Sequence, residues 1–208
     1  MTQNRSHAVM AQRIEAKDSR DDFPAPPWAT RSLFEHVIFE FGPFSSQSVL
    51  EPACGAGHMA KVLKEHFREV RASDAYACGP GTVRDYLKAP YEANAVDWVI
   101  TNPPFRLAEE FVHRSLIVAR CGAAILARTV FVESVGRYRK LFENTPPIRF
   151  AQFTERVPMV KGRLDKKAST ATGYAWLVWM CGAKIQAPQL VWIPPCRKRL
   201  ERHTDYPA

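Results

Sequence analysis

The chain has 208 residues, 46% of them apolar, and a formal net charge of +8 at pH 7. This length suits one domain with a substantial core and leaves little room for a second recognition domain. No stretch is apolar enough to predict a membrane span, and the first 22 residues lack the apolar centre of a signal peptide. The basic balance favours a polyanionic partner such as DNA or RNA.

The charge pattern divides the chain into three predicted segments. Residues 1–22 form a polar N-terminal extension, residues 23–196 a single α/β domain, and residues 197–208 a basic C-terminal tail. We expect this tail to be a flexible terminus.

The first motif of the domain is a small-residue segment between a strand pattern and a helix pattern. Ser48–Leu50 reads as a strand, the segment Glu51-Pro52-Ala53-Cys54-Gly55-Ala56-Gly57 as a tight turn, and residues 58–67 have helical spacing. Small residues in such a turn allow the backbone to approach a ligand closely.

A second strand pattern, residues 69–73, ends at Asp74, close to the roughly 20 residues after the turn at which a ribose-binding carboxylate is expected. A nicotinamide-dependent dehydrogenase would use similar parts. The third glycine of the dinucleotide pattern is missing, however, which disfavours that alternative.

The most informative motif is Asn102-Pro103-Pro104-Phe105, which follows the apolar run from Trp98 to Thr101. An amino nitrogen conjugated to a ring is a poor nucleophile, and acceptors for its N–H groups favour a tetrahedral nitrogen with a free lone pair. The Asn102 side-chain oxygen and a proline-held backbone carbonyl supply such acceptors. Phe105 supplies a flat surface on which a substrate ring can stack. A plain loop of turn-forming residues is the alternative interpretation.

The remaining patterns complete an α/β sheet. We predict a Rossmann-like, doubly wound, mostly parallel seven-stranded sheet with an antiparallel pair of strands at its edge. The further predicted elements are helices over residues 31–41, 107–119 and 134–144 and strands over residues 123–127, 149–153 and 174–180.

Residues 26–130 resemble the S-adenosylmethionine-dependent amino-methyltransferases, including DNA adenine-N6 methyltransferases. The segment from Glu51 to Gly57 looks like their cofactor loop, and residues 102–105 look like their (D/N/S)-P-P-(Y/F/W) catalytic motif. The resemblance implies S-adenosylmethionine as cofactor and catalytic roles for Asn102, Pro103, Pro104 and Phe105.

The same resemblance implies a set of cofactor-binding residues. Asp74 would bind the ribose, and Asp85 would contact the adenine unless it is a solvated residue or a helix cap. Thr30 lies in a proline-containing stretch that some family members place against the cofactor. The full set is Thr30, Glu51, Pro52, Ala53, Gly55, Gly57, Asp74, Asp85 and Asn102.

The acceptor implied most directly is adenine N6 in DNA, and we expect a cytoplasmic protein with a nucleic-acid partner. Five basic residues in a loop without clear periodicity are the expected nucleic-acid contacts, unless the loop is simply solvated. They are Arg156, Lys161, Arg163, Lys166 and Lys167. Ribosomal RNA or a protein glutamine remains an alternative acceptor, and a binding module without turnover remains an alternative function.

No metal site and no disulfide framework are predicted. The five cysteines show no Cys-x-x-Cys spacing, and the six histidines form no His-x-x-x-His pair.

Overall fold

The computed structural model describes residues 21–206, so that most of the predicted N-terminal extension, residues 1–20, and the last two residues of the tail lie outside the described range. Eight strands within this range form one mixed sheet in the order β3-β2-β1-β4-β5-β7-β6-β8. The strands are β1 (Ser48–Glu51), β2 (Glu69–Asp74), β3 (Thr82–Val83), β4 (Val96–Thr101), β5 (Ala119–Arg128), β6 (Arg149–Phe153), β7 (Tyr174–Met180) and β8 (Gln189–Ile193).

The sheet confirms the predicted Rossmann-like, mostly parallel class and differs from the prediction in two details. It has one strand more than the predicted seven, and two of its strands, β3 beside β2 and β8 beside β6, match none of the predicted strand ranges. The antiparallel strand β7 lies between β5 and β6 and not at the edge. Strand β8 gives no buried sequence pattern because four of its five residues are exposed or half-buried.

Helices cover both faces of the sheet. Strand β4 is buried along its whole length, and its side chains alternate between the two faces. Trp98 and Ile100 pack in the core under the first two helices, whereas Val99 packs on the opposite face with Phe111. The helices are α1 (Pro27–Ser32), α2 (His58–Leu63), α3 (Ala108–Val118), α4 (Val135–Arg137) and α5 (Arg197–Leu200).

The helices are shorter than the sequence patterns predict. The first begins at Pro27, a favoured residue for a first helical turn, and changes to a π-helical turn over Leu33–Val37. The predicted helix over residues 134–144 is likewise split into α4 and a π-helical turn, Tyr138–Phe142.

The basic tail is packed against the domain up to residue 206, in contrast to the flexible terminus that we expected. Its anchor is the buried ion pair between Arg31 of α1 and Asp205, in which Nη1 and Nη2 donate to the two carboxylate oxygens at 2.8 and 2.9 Å. Arg31 also donates to Glu65 and to the carbonyl of Leu200. A buried guanidinium is stable only when such partners replace water, so the tail completes the environment of α1.

We expect Asp205→Asn to lower the free energy of unfolding by about 3 kcal/mol, because it leaves Arg31 buried with only part of its counter-charge. Arg31 also lowers the pKa of Asp205 against the opposing effect of burial. The stabilisation should therefore be present above the ordinary pKa and lost as the pH falls through the lowered one.

Denaturant unfolding at pH 7 and pH 3 measures both effects. Asp165→Asn is the matched control, because Asp165 pairs with the exposed Arg163 and should contribute little to stability. Equal losses in the two variants would contradict the anchoring role of Asp205.

Candidate functional site

The candidate site lies at the carboxyl ends of the parallel strands. Strands β1 and β4 are neighbours, and the connections that follow them lead to opposite sides of the sheet. This is the switch point at which open α/β sheets bind ligands. Glu51 ends β1, Asp74 ends β2, and Asn102 directly follows β4.

The glycine segment forms a tight turn between β1 and α2. Gly55 and Gly57 have φ angles of +49° and +84°, which disfavour any residue with a Cβ atom. The N–H of Gly55 donates to the Asp74 carboxylate at 2.9 Å, and the N–H of Tyr76 donates to its other oxygen at 3.0 Å. Two predicted cofactor residues, Gly55 and Asp74, are thus in direct contact.

A second glycine-containing segment, residues 79–81, packs on this turn. A Cβ atom on Gly79 would lie 2.1 Å from the carbonyl oxygen of Gly55, and one on Gly81 would lie 2.4 Å from the Cys54 sulfur. The two segments therefore pack closely enough to require residues without side chains at both positions. The sequence analysis did not identify this contact, although the Gly79-Pro80-Gly81 triplet signals a turn.

Glu51 is buried beneath the turn with an unsatisfied oxygen. One carboxylate oxygen, Oε2, has no hydrogen-bond partner among the described residues, while the Ala60 N–H interacts with the carboxyl group. Desolvation raises the pKa of Glu51 well above its ordinary value, and the nearby Asp74 charge acts in the same direction. A cationic ligand group would favour the ionised form of this carboxyl group.

Asn102 is fixed by one side of its amide and unsatisfied on the other. Its Nδ2 donates to the backbone carbonyl of Phe23 at 2.8 Å. Its Oδ1 is buried and has no hydrogen-bond partner within residues 21–206. An unpaired buried acceptor is costly, and it is available to a ligand N–H group.

The ring of Phe105 lies in an aromatic group with one cation over its face. The ring centroids of Phe23 and Tyr174 lie 5.7 and 6.3 Å away, and the Arg128 guanidinium carbon lies 3.7 Å from the Phe105 centroid. The backbone N–H of Phe105 donates to Asp21 at 2.6 Å. The predicted stacking surface is therefore covered by Arg128 on one face, a residue that the sequence analysis did not single out.

Thr30 and Asp85 occupy different environments. Thr30 is fully buried in α1, and its hydroxyl has no partner among the described residues. Asp85 accepts the Leu87 N–H and pairs with Lys88 at 3.1 Å, which is the local capping arrangement left open by the sequence. A cofactor role for either residue stays a prediction.

The five predicted nucleic-acid contacts lie exposed on the loop between β6 and β7. Arg156 donates to the Ala171 carbonyl, and Arg163 pairs with Asp165. The loop is tied to the site because the Gly162 N–H donates to the carbonyl of Asp22 at 2.8 Å, in the segment that also contacts Asn102 and Phe105.

Two kinds of feature are absent from residues 21–206. No group of three or more His, Cys, Asp or Glu residues is placed to hold a metal ion. No helix in this part of the chain has the length and apolarity needed to cross a membrane.

Three solved structures resemble this one at low sequence identity. A protein described as a modification subunit of a type I restriction enzyme from Vibrio vulnificus is 14% identical with a TM-score of 0.61, over 92% of this chain and 51% of its own. A protein described as a class I S-adenosylmethionine-dependent methyltransferase from Listeria monocytogenes is 12% identical with a TM-score of 0.60, over 89% and 68%. One described as an RNA methyltransferase from Pyrococcus horikoshii is 13% identical with a TM-score of 0.54, over 74% and 83%.

The chain has the class I methyltransferase fold. The sequence itself matches no family model and no curated protein. The present chain spans about half the length of the restriction-enzyme subunit, 51%. In this fold β2, β1 and β4 are adjacent parallel strands, so their carboxyl ends lie at one edge of the sheet.

We expect Glu51→Gln to make the ligand-free protein more stable at pH 8 and to leave its stability near pH 4 unchanged. The folded protein holds the Glu51 proton more tightly than the unfolded chain, so ionisation favours unfolding as the pH rises above the ordinary pKa of 4.5. A glutamine removes this penalty.

Thermal unfolding of both proteins between pH 4 and pH 8 measures the difference. Glu92→Gln, on an exposed loop, controls for the change in net charge. A Glu51→Gln variant that is less stable than the parent protein at pH 8 would show that Glu51 is ionised and paired in the folded protein.

Proposed function

We propose that the protein is an S-adenosylmethionine-dependent methyltransferase that acts on the exocyclic amino nitrogen of a nucleic-acid base, namely adenine N6 in DNA. The observation that carries this proposal is the Asn102 amide. Its nitrogen is held by the Phe23 carbonyl, so its unpaired oxygen Oδ1 is fixed as an acceptor for an amino N–H.

The residues at the switch point fit the cofactor. The buried, unpaired oxygen of Glu51 would accept the ammonium group of its methionine part, and the glycine turn at Gly55 and Gly57 allows close backbone approach. Asp74 would bind the ribose hydroxyls. When bound, S-adenosylmethionine supplies an activated methyl group on a sulfonium. The remaining catalytic work is positioning and electrostatics.

The Asn-Pro-Pro-Phe motif would orient the acceptor amino group. Asn102 Oδ1 accepts one N–H, and the Pro103 carbonyl accepts the other, so that the nitrogen lone pair turns out of conjugation with the ring. Phe105 would stack on the ring of a base flipped out of its strand.

Three observations support nucleic acid as the acceptor. The exposed basic loop is hydrogen-bonded through Gly162 to Asp22, in the segment before α1 that also contacts the Asn-Pro-Pro-Phe motif. The chain carries a net charge of +8. Two structural neighbours are described as an RNA methyltransferase and as a restriction-enzyme modification subunit.

Since all five cysteines are free, we infer the reducing cytoplasm as the compartment.

Labelled methyl transfer to unmethylated DNA, ribosomal RNA and protein, with mass spectrometry of the digested products, tests the acceptor. We expect N6-methyladenine in DNA. Label only in RNA would retain the chemistry and replace the acceptor, and label only in protein would contradict the nucleic-acid assignment.

We expect Asn102→Ala to lower kcat by about 10²–10³-fold and to leave the Kd for S-adenosylmethionine within a factor of about 3, because the acceptor that is lost acts mainly on the amino group and contributes only a small part of cofactor binding. Single-turnover kinetics and calorimetric cofactor titration measure the two quantities. Asn144→Ala, on an exposed turn, is the matched control. Equal losses of cofactor binding and rate would remove Asn102 from its catalytic role.

A further inference from the structure

Arg128 lies next to the Asn-Pro-Pro-Phe acceptor motif and has no carboxylate partner in the described part of the chain. It is the last residue of β5, and its guanidinium carbon lies 3.7 Å from the centroid of Phe105 and 5.7 Å from that of Phe23. None of the ion pairs among residues 21–206 includes it. Its Nε is buried and has no hydrogen-bond partner there.

The two polar side chains nearest to Arg128, Asp21 and Tyr174, do not neutralise its charge. The Asp21 carboxylate accepts the N–H of Phe105 and does not pair with Arg128. Tyr174 contacts the guanidinium through its hydroxyl, a neutral group whose pKa is raised by burial. Within residues 21–206 the positive charge of Arg128 is therefore met by aromatic faces and one neutral hydroxyl and by no carboxylate, and these contacts offset part of the cost of desolvation.

A small cavity opens beside this guanidinium. Its volume is about 110 Å³, well below the roughly 300 Å³ of a small drug-sized site. It is lined by Pro103 and Phe105 of the acceptor motif, by the end of β5 and by Arg137. Arg137 already has a carboxylate neighbour, because its Nε lies 4.0 Å from Glu109, and it also donates to the Phe131 carbonyl at 2.8 Å. Of the two arginines at this cavity, Arg128 is thus the one that forms no ion pair with a carboxylate of residues 21–206.

We propose that Arg128 binds a phosphate of the acceptor strand next to the target nucleotide. This inference rests on the proposed function and deepens it. An arginine is charged at any physiological pH, and its planar fork matches the oxygens of a phosphate. A nucleotide presents a phosphate close to the amino-bearing base, whereas a glutamine side chain in a protein does not. The unpaired cation therefore selects nucleic acid over protein at the acceptor site.

Salt-dependent binding of a labelled oligonucleotide tests the contact. The probe is a fluorescein-labelled 12-nucleotide single strand with one adenine among thymines, and fluorescence anisotropy is recorded from about 50 to 200 mM KCl. Each phosphate contact to a single strand contributes about 0.7 to the slope of log K against log salt concentration. We expect Arg128→Gln to weaken binding about tenfold at low salt and to reduce the slope by about 0.7.

Two further variants separate charge from packing. Arg128→Lys keeps the charge and a long stem, so it should retain the wild-type slope while binding less tightly. Arg68→Ala removes one charge from an exposed position just before β2, at the opposite edge of the sheet, and should leave the slope unchanged. Cofactor titration of each variant monitors the integrity of the fold.

The inference is overturned if Arg128→Gln and Arg128→Lys have the same slope as each other. If Arg128→Gln loses cofactor binding and Arg128→Lys retains it, the Gln variant is misfolded and the slope of Arg128→Lys is compared with that of the wild type instead. A reduced slope in Arg128→Lys also overturns the inference. Failure of the proposed function is a different result, in which the wild-type protein transfers no methyl group to any nucleic acid.

Discussion

The pairing of β4 with strands on both of its edges is the constraint on which the site depends. Thr101 pairs with Ile125 of β5, and Leu50 of β1 pairs with Val99. Because both edges are hydrogen-bonded and every residue of β4 is buried, the strand cannot slip by one residue without moving Trp98 and Ile100 to the wrong face. Because Asn102 is the first residue after β4, the fixed register of the strand also fixes the position of Asn102.

Buried polar groups are treated differently at the two edges of the sheet. At the amino ends of the strands, Asp97 accepts hydrogen bonds from Ser48 and pairs with Arg120, and these contacts lower its pKa against the effect of desolvation. At the carboxyl ends, Glu51 and Asn102 each keep a buried oxygen that has no partner among the residues described. Unsatisfied groups cost stability, and their concentration at one edge is typical of a site that waits for ligand atoms to complete it.

The central part of the fold was predictable because each of its elements has a contiguous pattern in the sequence. The apolar run before Asn102 and the glycine turn after β1 are contiguous patterns, and parallel-strand topology then brings their ends together. The edge strand β8 and the packed tail were not predictable in this way. Four of the five residues of β8 are at least partly exposed, and Asp205 finds its buried partner 174 residues away. Nothing adjacent to either in the sequence signals those contacts.

The candidate site shows the same division. Asn102 and the glycine turn carry a motif, whereas the sequence presents Arg128 as one more charged residue at the end of a strand. Its position over Phe105 arises from the register between β5 and its neighbours, together with the fold of the segment before α1. A short-range sequence pattern contains no information about which cation is left without a carboxylate partner in residues 21–206.

The long sequence separations around the site have a consequence for the order in which the protein is made. The segment before α1 leaves the ribosome early, but its hydrogen bonds to Asn102 and Phe105 join residues 79 and 84 positions apart. The packing of helix α1 is completed later still, because the carboxylate partner of Arg31 is available only after Asp205 has been synthesised. Closing such long loops is slow, and domains generally fold as units. We therefore expect the nascent chain to expose the apolar face of α1 until the segment around Asp205 has been synthesised, which makes this helix a natural place for a chaperone to act.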